Sequence, residues 1–387
     1  IFHQTIEYIS HIKEQTHLPI LAGGVHVELY PKETMHYKAI DYAIMGEADE
    51  ALPDFLDAYE KGRDLSTVQS LVYRDKGGNV IVNPLRPLVQ DISKTPFPAR
   101  HLMPNDRYYS FISQRKNFTG LISSRGCPFR CIYCEQGSKK FRFRDAKNVV
   151  DEFEECYDKH GVREIDIFDS SFTINKQRVL DICKEIIERK IDISWSIRSR
   201  VDCINEEMMR AIKKAGCMRV YYGVESGNSS ILRTLRKETD LDKIRDTIKL
   251  TKKVGINTFG YFMVGSPGET KETVEQTIRF AKSLKLDYAQ FSKVSPLPGT
   301  ELYDVLLKPK LKEDYWSKYI LDKNYEMDLP RPDCDLTEEE IQQLAKRAYK
   351  EFYFRPSYIA KAILRLKSFE EFKRNAKGAL DMIMQKK

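Results

Sequence analysis

Three of the eight cysteines in this 387-residue chain lie in one short loop, at Cys127, Cys131 and Cys134. Their spacing is C-x3-C-x2-C, and the loop that carries them, SSRGCPFRCIYC, follows the strand-like stretch FTGLI. Thiolates bind zinc, hold iron–sulfur clusters and form disulfides. The number of thiols and the compartment of the protein decide among these uses.

The loop best fits an iron–sulfur cluster with one open iron. A closed zinc site needs four ligands, but the loop offers three, and we interpret the nearest histidines, His101 and His160, as surface or packing residues. A large chain without a visible secretory signal is expected in a reducing compartment, which disfavours a disulfide. A cubane cluster normally takes four thiolates, so three thiolates leave one iron open to a substrate or cofactor.

Composition narrows the class of protein further. The net charge of +7 is spread over many Lys- and Glu-rich stretches, which is typical of a solvated surface and does not point to nucleic acid. The sequence contains no apolar run of about eighteen residues, so we expect no membrane span and a cytoplasmic location. Cys156 and Cys183 fall on apolar helix faces and are interpreted as small core residues.

From residue 119 onward, strand-like and helix-like segments alternate. Six strands separated by five helices predict an α/β fold with parallel strand pairing. A flat doubly wound sheet and a partial barrel both satisfy this alternation. In either architecture, polar side chains at the carboxyl ends of the strands line the site.

The flanking regions have different patterns. LPILAGG and AIDYAIMGE read as two buried parallel strands, and SLVYRDKGGNVIVNP reads as a hairpin with Gly-Gly at its turn. SKTPFPARHLMP is rich in proline and lacks periodicity, so we interpret it as a linker. Near the carboxyl end, Thr337 and Glu340 predict a capping box that begins a helical region.

The cysteine loop resembles the signature of the radical S-adenosylmethionine (SAM) superfamily, in which an aromatic residue, here Tyr133, precedes the third cysteine. The blocks GVESG, GYFMVGSPGET and FSKVSPLPGTELY are similar to further blocks of that family, so the resemblance extends from about Asn117 to Asp304. It implies a partial (β/α)6 barrel at residues 117–305. The hairpin and linker then occupy residues 69–116, and a mostly helical region occupies residues 306–387.

The resemblance also implies a mechanism. Cys127, Cys131 and Cys134 would hold three irons of a 4Fe–4S cluster, and the amino and carboxylate groups of SAM would chelate the fourth. An outside low-potential donor, a flavodoxin or a ferredoxin, would supply the electron. Reductive cleavage would yield a 5′-deoxyadenosyl radical that abstracts hydrogen from a small-molecule substrate.

Residues at the predicted strand ends are the implied contacts of SAM. We expect Glu225 to accept hydrogen bonds from the ribose, with Ser226 beside it. Arg198 or Arg200 would pair with the methionine carboxylate. The remaining candidates are Asp169 or Ser171 for the methionine amine, and Gly265 and Pro267 for close approach to adenine.

Residues 1–68 resemble the carboxy-terminal part of a cobalamin-binding domain with a Rossmann- or flavodoxin-like doubly wound sheet. The implied cobalamin contacts are the loops after the two strands, at Gly23, Gly24, Gly46 and Glu47. The Asp-x-His-x-x-Gly element of some cobalamin folds is absent, as it is from many radical SAM relatives. Because only two strands of such a domain are recognisable and the first residue is Ile, we expect that the parent protein uses cobalamin and that this chain binds it poorly.

The leading functional hypothesis is a radical SAM enzyme for cobalamin-dependent methylation, or for a related rearrangement or cyclisation, of a small molecule. Methylthio transfer to RNA or protein is an alternative, but it usually requires further cysteines, and residues 1–126 contain none. A zinc- or cluster-stabilised binding module, or an electron carrier, is the non-enzyme alternative. The ligand count disfavours the zinc module, and the open iron disfavours the electron carrier.

Overall fold

A computed structural model describes residues 2–110, 112–137, 139–311, 313–325 and 331–365. The strands are β1 (Leu21–Gly23), β2 (Tyr42–Ile44), β3 (Leu71–Arg74), β4 (Val80–Val82), β5 (Phe118–Leu121), β6 (Ser124–Cys127), β7 (Lys139–Phe143), β8 (Glu164–Ile167), β9 (Ser194–Ser199), β10 (Cys217–Glu225), β11 (Asn257–Val264) and β12 (Tyr288–Lys293). The α-helices are α1 (Phe2–Thr16), α2 (Val25–Leu29), α3 (Pro31–Thr34), α4 (Ala48–Lys61), α5 (Ala146–His160), α6 (Lys176–Glu188), α7 (Glu206–Lys214), α8 (Ser229–Thr234), α9 (Leu241–Lys253), α10 (Lys271–Ser283), α11 (Tyr315–Leu321), α12 (Glu338–Tyr353) and α13 (Pro356–Arg365). Within the described ranges, no helix has the length and apolar character needed to cross a membrane.

The chain divides into two compact units. The first comprises Ile1–Thr95, Tyr133–Glu135 and Ser295–Arg331, and the second comprises Pro96–Ile132, Gln136–Val294 and Pro332–Lys387. This division differs from the predicted boundaries because residues 295–331 group with the amino-terminal part of the chain. No periodic pattern in that irregular stretch indicates where it packs.

The first unit contains a four-stranded sheet in the order β1-β2-β3-β4. β1 and β2 are parallel, as predicted, whereas β3 runs antiparallel to both β2 and β4. The predicted hairpin is therefore β3 and β4, but it continues the amino-terminal sheet and does not belong to the linker. Val72 of β3 packs into the same apolar core as Val27 and Ala43, which explains the assignment.

The second unit is built on a six-stranded sheet in the order β12-β11-β10-β9-β8-β5. All of its strand pairs are parallel, as predicted. The spatial order follows the chain order without the reversal that defines a doubly wound sheet. Of the two architectures that the alternation allowed, the structure therefore has the partial barrel.

Alternation along each strand separates two faces of this sheet. Val220, Tyr222 and Val224 of β10 lie in the apolar core formed with the helices. Because side chains alternate along a strand, Tyr221 and Glu225 belong to the opposite face. We call that opposite face the inner face.

Capping side chains begin two of the helices, and the capping box predicted at Thr337 and Glu340 is confirmed. The side chain of Asn205 accepts a hydrogen bond from the Met208 N–H and begins α7. Thr337 and Glu340 form a reciprocal capping box at the start of α12. Such caps satisfy backbone N–H groups that have no partner within the helix.

An antiparallel hairpin of β6 and β7 brackets the cysteine loop and was not predicted. Its pairing shifts register around Gly126, whose φ is +76°. A Cβ atom at this position would lie 2.3 Å from the backbone oxygen of Lys140. The hairpin therefore depends on glycine at the position that immediately precedes Cys127.

We predict that Gly126→Ala lowers the free energy of unfolding by about 2–3 kcal/mol, because it combines left-handed strain with a backbone clash. Gly78→Ala is the matched control, since Gly78 has φ +84° but a Cβ atom there would meet no atom of the described residues within 4 Å. The control should cost about 1 kcal/mol. Urea unfolding measures both values, and equal losses would contradict the close contact.

Candidate active site

The cysteine loop begins where β6 ends. Cys127 is buried, whereas Cys131 and Cys134 are half-buried, and within the described part of the chain no disulfide joins any cysteine. No three Cys, His, Asp or Glu side chains in the described ranges surround a single point as ligands of one metal ion would. In a cubane cluster each thiolate binds a different iron, so such convergence is not required. The donor set fits a cluster and does not fit a mononuclear zinc ion.

Arg200 brings a positive charge to the cysteine loop. Its Nη1 donates to Cys131 Sγ at 3.5 Å, while Nε and Nη2 donate to the two carboxylate oxygens of Asp202 at 2.9 and 2.7 Å. The guanidinium also lies 3.8 Å from the centre of the Phe129 ring. Two nitrogens of the Arg200 guanidinium are thus already bound by the Asp202 carboxylate. The third nitrogen contacts the Cys131 thiol and does not face an unoccupied carboxylate-binding position.

The pKa of the Cys127 thiol reflects opposing influences. Burial raises it, and the nearby Cys131 raises it further, whereas a backbone hydrogen bond and the cations of Arg200 and Lys237 lower it. Cys203, a further thiol within electrostatic range of Cys127, has its pKa raised to about 11 by burial and by Asp202. Its isolated position in the sequence gave no signal of this proximity.

Asp169 fixes the start of the cysteine loop. Its buried carboxylate accepts hydrogen bonds from the Ser123 N–H at 2.7 Å, from Ser123 Oγ at 2.6 Å and from the Ser124 N–H at 3.0 Å. Buried Arg178 completes the arrangement by donating to the Ser123 carbonyl at 2.8 Å. Ser171, the other candidate for the methionine amine, accepts from the Arg200 N–H at 3.3 Å. Both candidates are engaged with the protein backbone.

Arg198 is engaged on the inner face. It donates to both carboxylate oxygens of Asp166, at 2.8 and 3.1 Å. Its guanidinium carbon lies 3.9 Å from the ring centre of Phe168 and 4.8 Å from that of Tyr221. Arg198 thus pairs with a carboxylate of the protein, and the contact of Arg198 or Arg200 with the methionine carboxylate stays a prediction.

Glu225 is held in a strained conformation at the end of β10. Its φ is +64°, in the left-handed region that disfavours residues other than glycine. Its Oε1 atom lies 2.8 Å from Lys237 Nζ, and both side chains are buried. Strain of this kind concentrates at functional sites. Lys237 follows a short helix, and no sequence pattern singled it out.

Three further predicted residues lie around the ends of β10 and β11. The Ser226 hydroxyl is hydrogen-bonded to Thr277 Oγ1 at 3.1 Å. Gly265 has φ +88°, and a Cβ there would meet Ile341 Cδ1 at 2.8 Å, so its close approach is to α12. Pro267 lies in the following turn, where Glu269 accepts hydrogen bonds from the N–H groups of Gly265 and Ser266.

The candidate cobalamin contacts lie at one edge of the first sheet. Gly23 ends β1, and Gly24, with φ +98°, follows it. Gly46, with φ +69°, lies after β2. Glu47 accepts a hydrogen bond from the Val89 N–H at 3.2 Å. Since β1 and β2 are parallel, both loops lie at the carboxyl edge of this sheet.

Comparison with known proteins identifies the class. Residues 121–281 match the family model described as the radical SAM superfamily. The chain is 36% identical over 371 residues to the uncharacterized methyltransferase PH0819 of Pyrococcus horikoshii, covering 95% of this chain and 79% of that protein. The chain therefore belongs to the radical SAM superfamily and is an enzyme.

Two further comparisons concern chemistry and fold. The chain is 28% identical to the anaerobic magnesium-protoporphyrin IX monomethyl ester cyclase of Rubrivivax gelatinosus, covering 87% of this chain and 61% of the cyclase. The structure of the radical SAM methyltransferase TsrM from Kitasatospora setae, with cobalamin and a [4Fe–4S] cluster bound, matches with a TM-score of 0.64 at 22% identity, covering 78% of this chain and 59% of TsrM. The chain thus spans about three-fifths of the length of both the cyclase and TsrM. The similarity to TsrM, at 22% identity, concerns the fold.

We predict that Glu269 makes stability depend on pH. Burial raises its pKa from 4.5 to about 7, so the unfolded chain loses this proton at lower pH than the folded chain does. The free energy of unfolding should therefore fall by about 3 kcal/mol between pH 4.5 and 7, and this contribution should not change further at higher pH.

Glu269→Gln should flatten that slope in chemical unfolding measured across the same pH range. Glu272→Gln is the matched control, because Glu272 is a neighbouring carboxylate whose pKa is lowered, and that variant should retain the wild-type slope. An unchanged slope in Glu269→Gln would contradict the assignment.

Proposed function

We propose that this enzyme holds a 4Fe–4S cluster through Cys127, Cys131 and Cys134, and uses it to cleave SAM for radical chemistry at an unactivated carbon of a small molecule. The observation that carries the proposal is the position of the cysteine loop. Asp169 and Arg200 follow β8 and β9 of the partial barrel, and both contact this loop. Carboxyl ends of parallel strands are where active sites of such folds lie.

The residues around the loop suit a cluster. When bound, a 4Fe–4S cluster supplies the single electron that breaks a carbon–sulfur bond of SAM. Arg200 Nη1 lies 3.5 Å from Cys131 Sγ and places a positive charge beside the loop, which suits an anionic cluster. Asp169 and Arg178 hold the backbone before the loop. The reductant would be a low-potential flavodoxin or ferredoxin.

The Glu225–Lys237 pair is the proposed binding position for SAM. Glu225 would accept hydrogen bonds from the ribose hydroxyls, and its strained backbone fixes the direction of its carboxylate. Lys237 holds that carboxylate through a buried contact of 2.8 Å. A charged acceptor held in this way makes stronger hydrogen bonds than a neutral one.

We further propose cobalamin-dependent methylation as the reaction, with cyclisation or rearrangement as the second candidate. Methylation is supported by the similarity to PH0819 and by the fold shared with TsrM. The Gly24 and Gly46 loops, both with positive φ, offer the first unit's contacts for a corrin. Similarity to the cyclase supports the second candidate. Products from a metabolite panel, resolved by mass spectrometry, distinguish the two.

We predict that replacing Cys127, Cys131 or Cys134 with Ala abolishes cluster binding, because each removes the ligand of one iron. Iron and sulfide counted per chain after anaerobic reconstitution measure the effect. Cys203→Ala is the matched control, since its thiol lies in the same electrostatic environment, and it should keep the cluster, as should Cys156→Ala and Cys183→Ala. A full cluster in any variant of the loop would refute the assignment.

We predict that Glu225→Gln weakens SAM binding by about 1–3 kcal/mol, the usual effect of losing a charge-assisted hydrogen bond. Equilibrium dialysis of labelled SAM measures it. Because the variant also removes the negative charge beside buried Lys237, the fold should lose stability as well.

The double variant Glu225→Gln with Lys237→Met separates the two roles. It removes the buried charge, so it should recover stability while SAM binding remains weak. Wild-type affinity in either variant would remove Glu225 from the site.

A further inference from the structure

The inner face of the barrel sheet carries a group of stacked flat side chains. Resting on the proposed function, we propose that Phe168, Arg198, Tyr221 and Tyr261, which we call the stacking surface, bind the substrate, and that the substrate is a flat conjugated ring system. The proposal thus specifies which class of substrate the proposed active site binds. It depends on geometry within the second unit alone.

The side chains of the stacking surface lie close together. The Arg198 guanidinium is placed between two rings, with its central carbon 3.9 Å from the Phe168 ring centre and 4.8 Å from that of Tyr221. The rings of Tyr221 and Tyr261 are stacked with centres 6.0 Å apart and planes inclined by 16°. Four neighbouring elements, from β8 to β11, thus contribute one set of flat groups.

Phe168 exposes the free part of this surface. It is 49% exposed although it directly follows the buried strand β8. Beneath it lies Gly120 of β5, where a Cβ atom would be only 3.2 Å from the ring. Glycine at that position lets the ring lie against the sheet. Phe168 is therefore the accessible member of the stacking surface, the ring on which a flat ligand can stack.

The pairing of charges within the stacking surface limits which ligands the surface can bind. Asp166 neutralises Arg198 through two hydrogen bonds and also accepts one from Ser196 Oγ at 2.9 Å. The pair therefore offers no free positive charge for an anionic group. The guanidinium carbon instead lies 3.9 Å from the Phe168 ring centre, and cation–π attraction stabilises this contact. The surface selects for a flat π-face and not for charge.

The surface lies next to the proposed chemistry. Phe168 immediately precedes Asp169, whose carboxylate holds Ser123 and Ser124 at the root of the cysteine loop. Arg198 lies two residues before Arg200, which contacts Cys131. A ring stacked on Phe168 is therefore held at the strand ends beside the loop.

The proposal is tested with two probes of matched size and charge. 1-Naphthoate is flat and aromatic, whereas decahydro-1-naphthoate is its saturated counterpart. Binding to the reconstituted full chain is measured by saturation-transfer NMR titration. We expect naphthoate to bind and the saturated probe to bind at least about threefold more weakly, because only the former can stack.

Variants of Phe168 test whether naphthoate binds at the stacking surface. Phe168→Leu keeps an apolar side chain but removes the ring, and should weaken naphthoate binding about three- to tenfold. Phe168→Tyr should restore it. Phe354→Leu is the matched control, since Phe354 is 39% exposed and lies at the end of α12, away from the inner face, and it should bind as the wild type does.

The outcomes are distinct. Equal binding of both probes, or wild-type affinity in Phe168→Leu, would overturn the proposal. Reductive SAM cleavage by the wild-type enzyme is measured in parallel as release of 5′-deoxyadenosine. Its absence would overturn the proposed function without altering the probe result, so the two failures are distinguishable.

Discussion

The arrangement of the active site depends on the hydrogen bonds that the Asp169 carboxylate accepts from Ser123 and Ser124. These bonds join the carboxyl end of β8 to the beginning of the cysteine loop. The loop needs this attachment because, among the described residues, the two strands of its hairpin pair with each other and not with the six-stranded sheet. A buried carboxylate with three donors resists displacement, since breaking any of these bonds leaves a polar group without a partner. The position of the carboxyl end of β8 thereby fixes the position of the beginning of the cysteine loop.

The second constraint is the distribution of charge around the thiols. Burial alone opposes formation of a thiolate, and Arg200 and Lys237 counter that effect at Cys127. Each cation is in turn bound by a carboxylate, Asp202 or Glu225. Such pairing within the protein restricts the positions that each cation can adopt. A restricted side chain loses less conformational entropy when a ligand binds beside it.

Sequence alone predicted the alternation of strands and helices, the helix caps and the cysteine loop, because each depends on neighbours close in the chain. The alternation alone could not choose between a doubly wound sheet and a partial barrel, since both follow it. The resemblance to the radical SAM superfamily implied the partial barrel, and the structure confirms that prediction. Sequence alone also could not predict the hydrogen bonds between Asp169 and Ser123, because Ser123 lies 46 residues away; the contact of Asp169 or Ser171 with the methionine amine stays a prediction. Arg198 and Arg200 read as equivalent in sequence, yet Asp166 and Asp202 give them different partners.

On the strands of the six-stranded sheet, one face packs in the core and stabilises the fold, whereas the inner face carries the groups of the proposed site. On β10, Tyr222 lies in the apolar core with the helices, while its neighbour Tyr221 stacks against Arg198 and Tyr261. The core face must stay apolar and closely packed, so it tolerates little change. The inner face instead holds polar and aromatic groups, of which Tyr221 is buried and Phe168 is 49% exposed. Because the core supplies the stability, a change at an exposed inner-face position such as Phe168 should cost less folding free energy than a change in the core. Such a change leaves the hydrogen bonds between Asp169 and the cysteine loop in place.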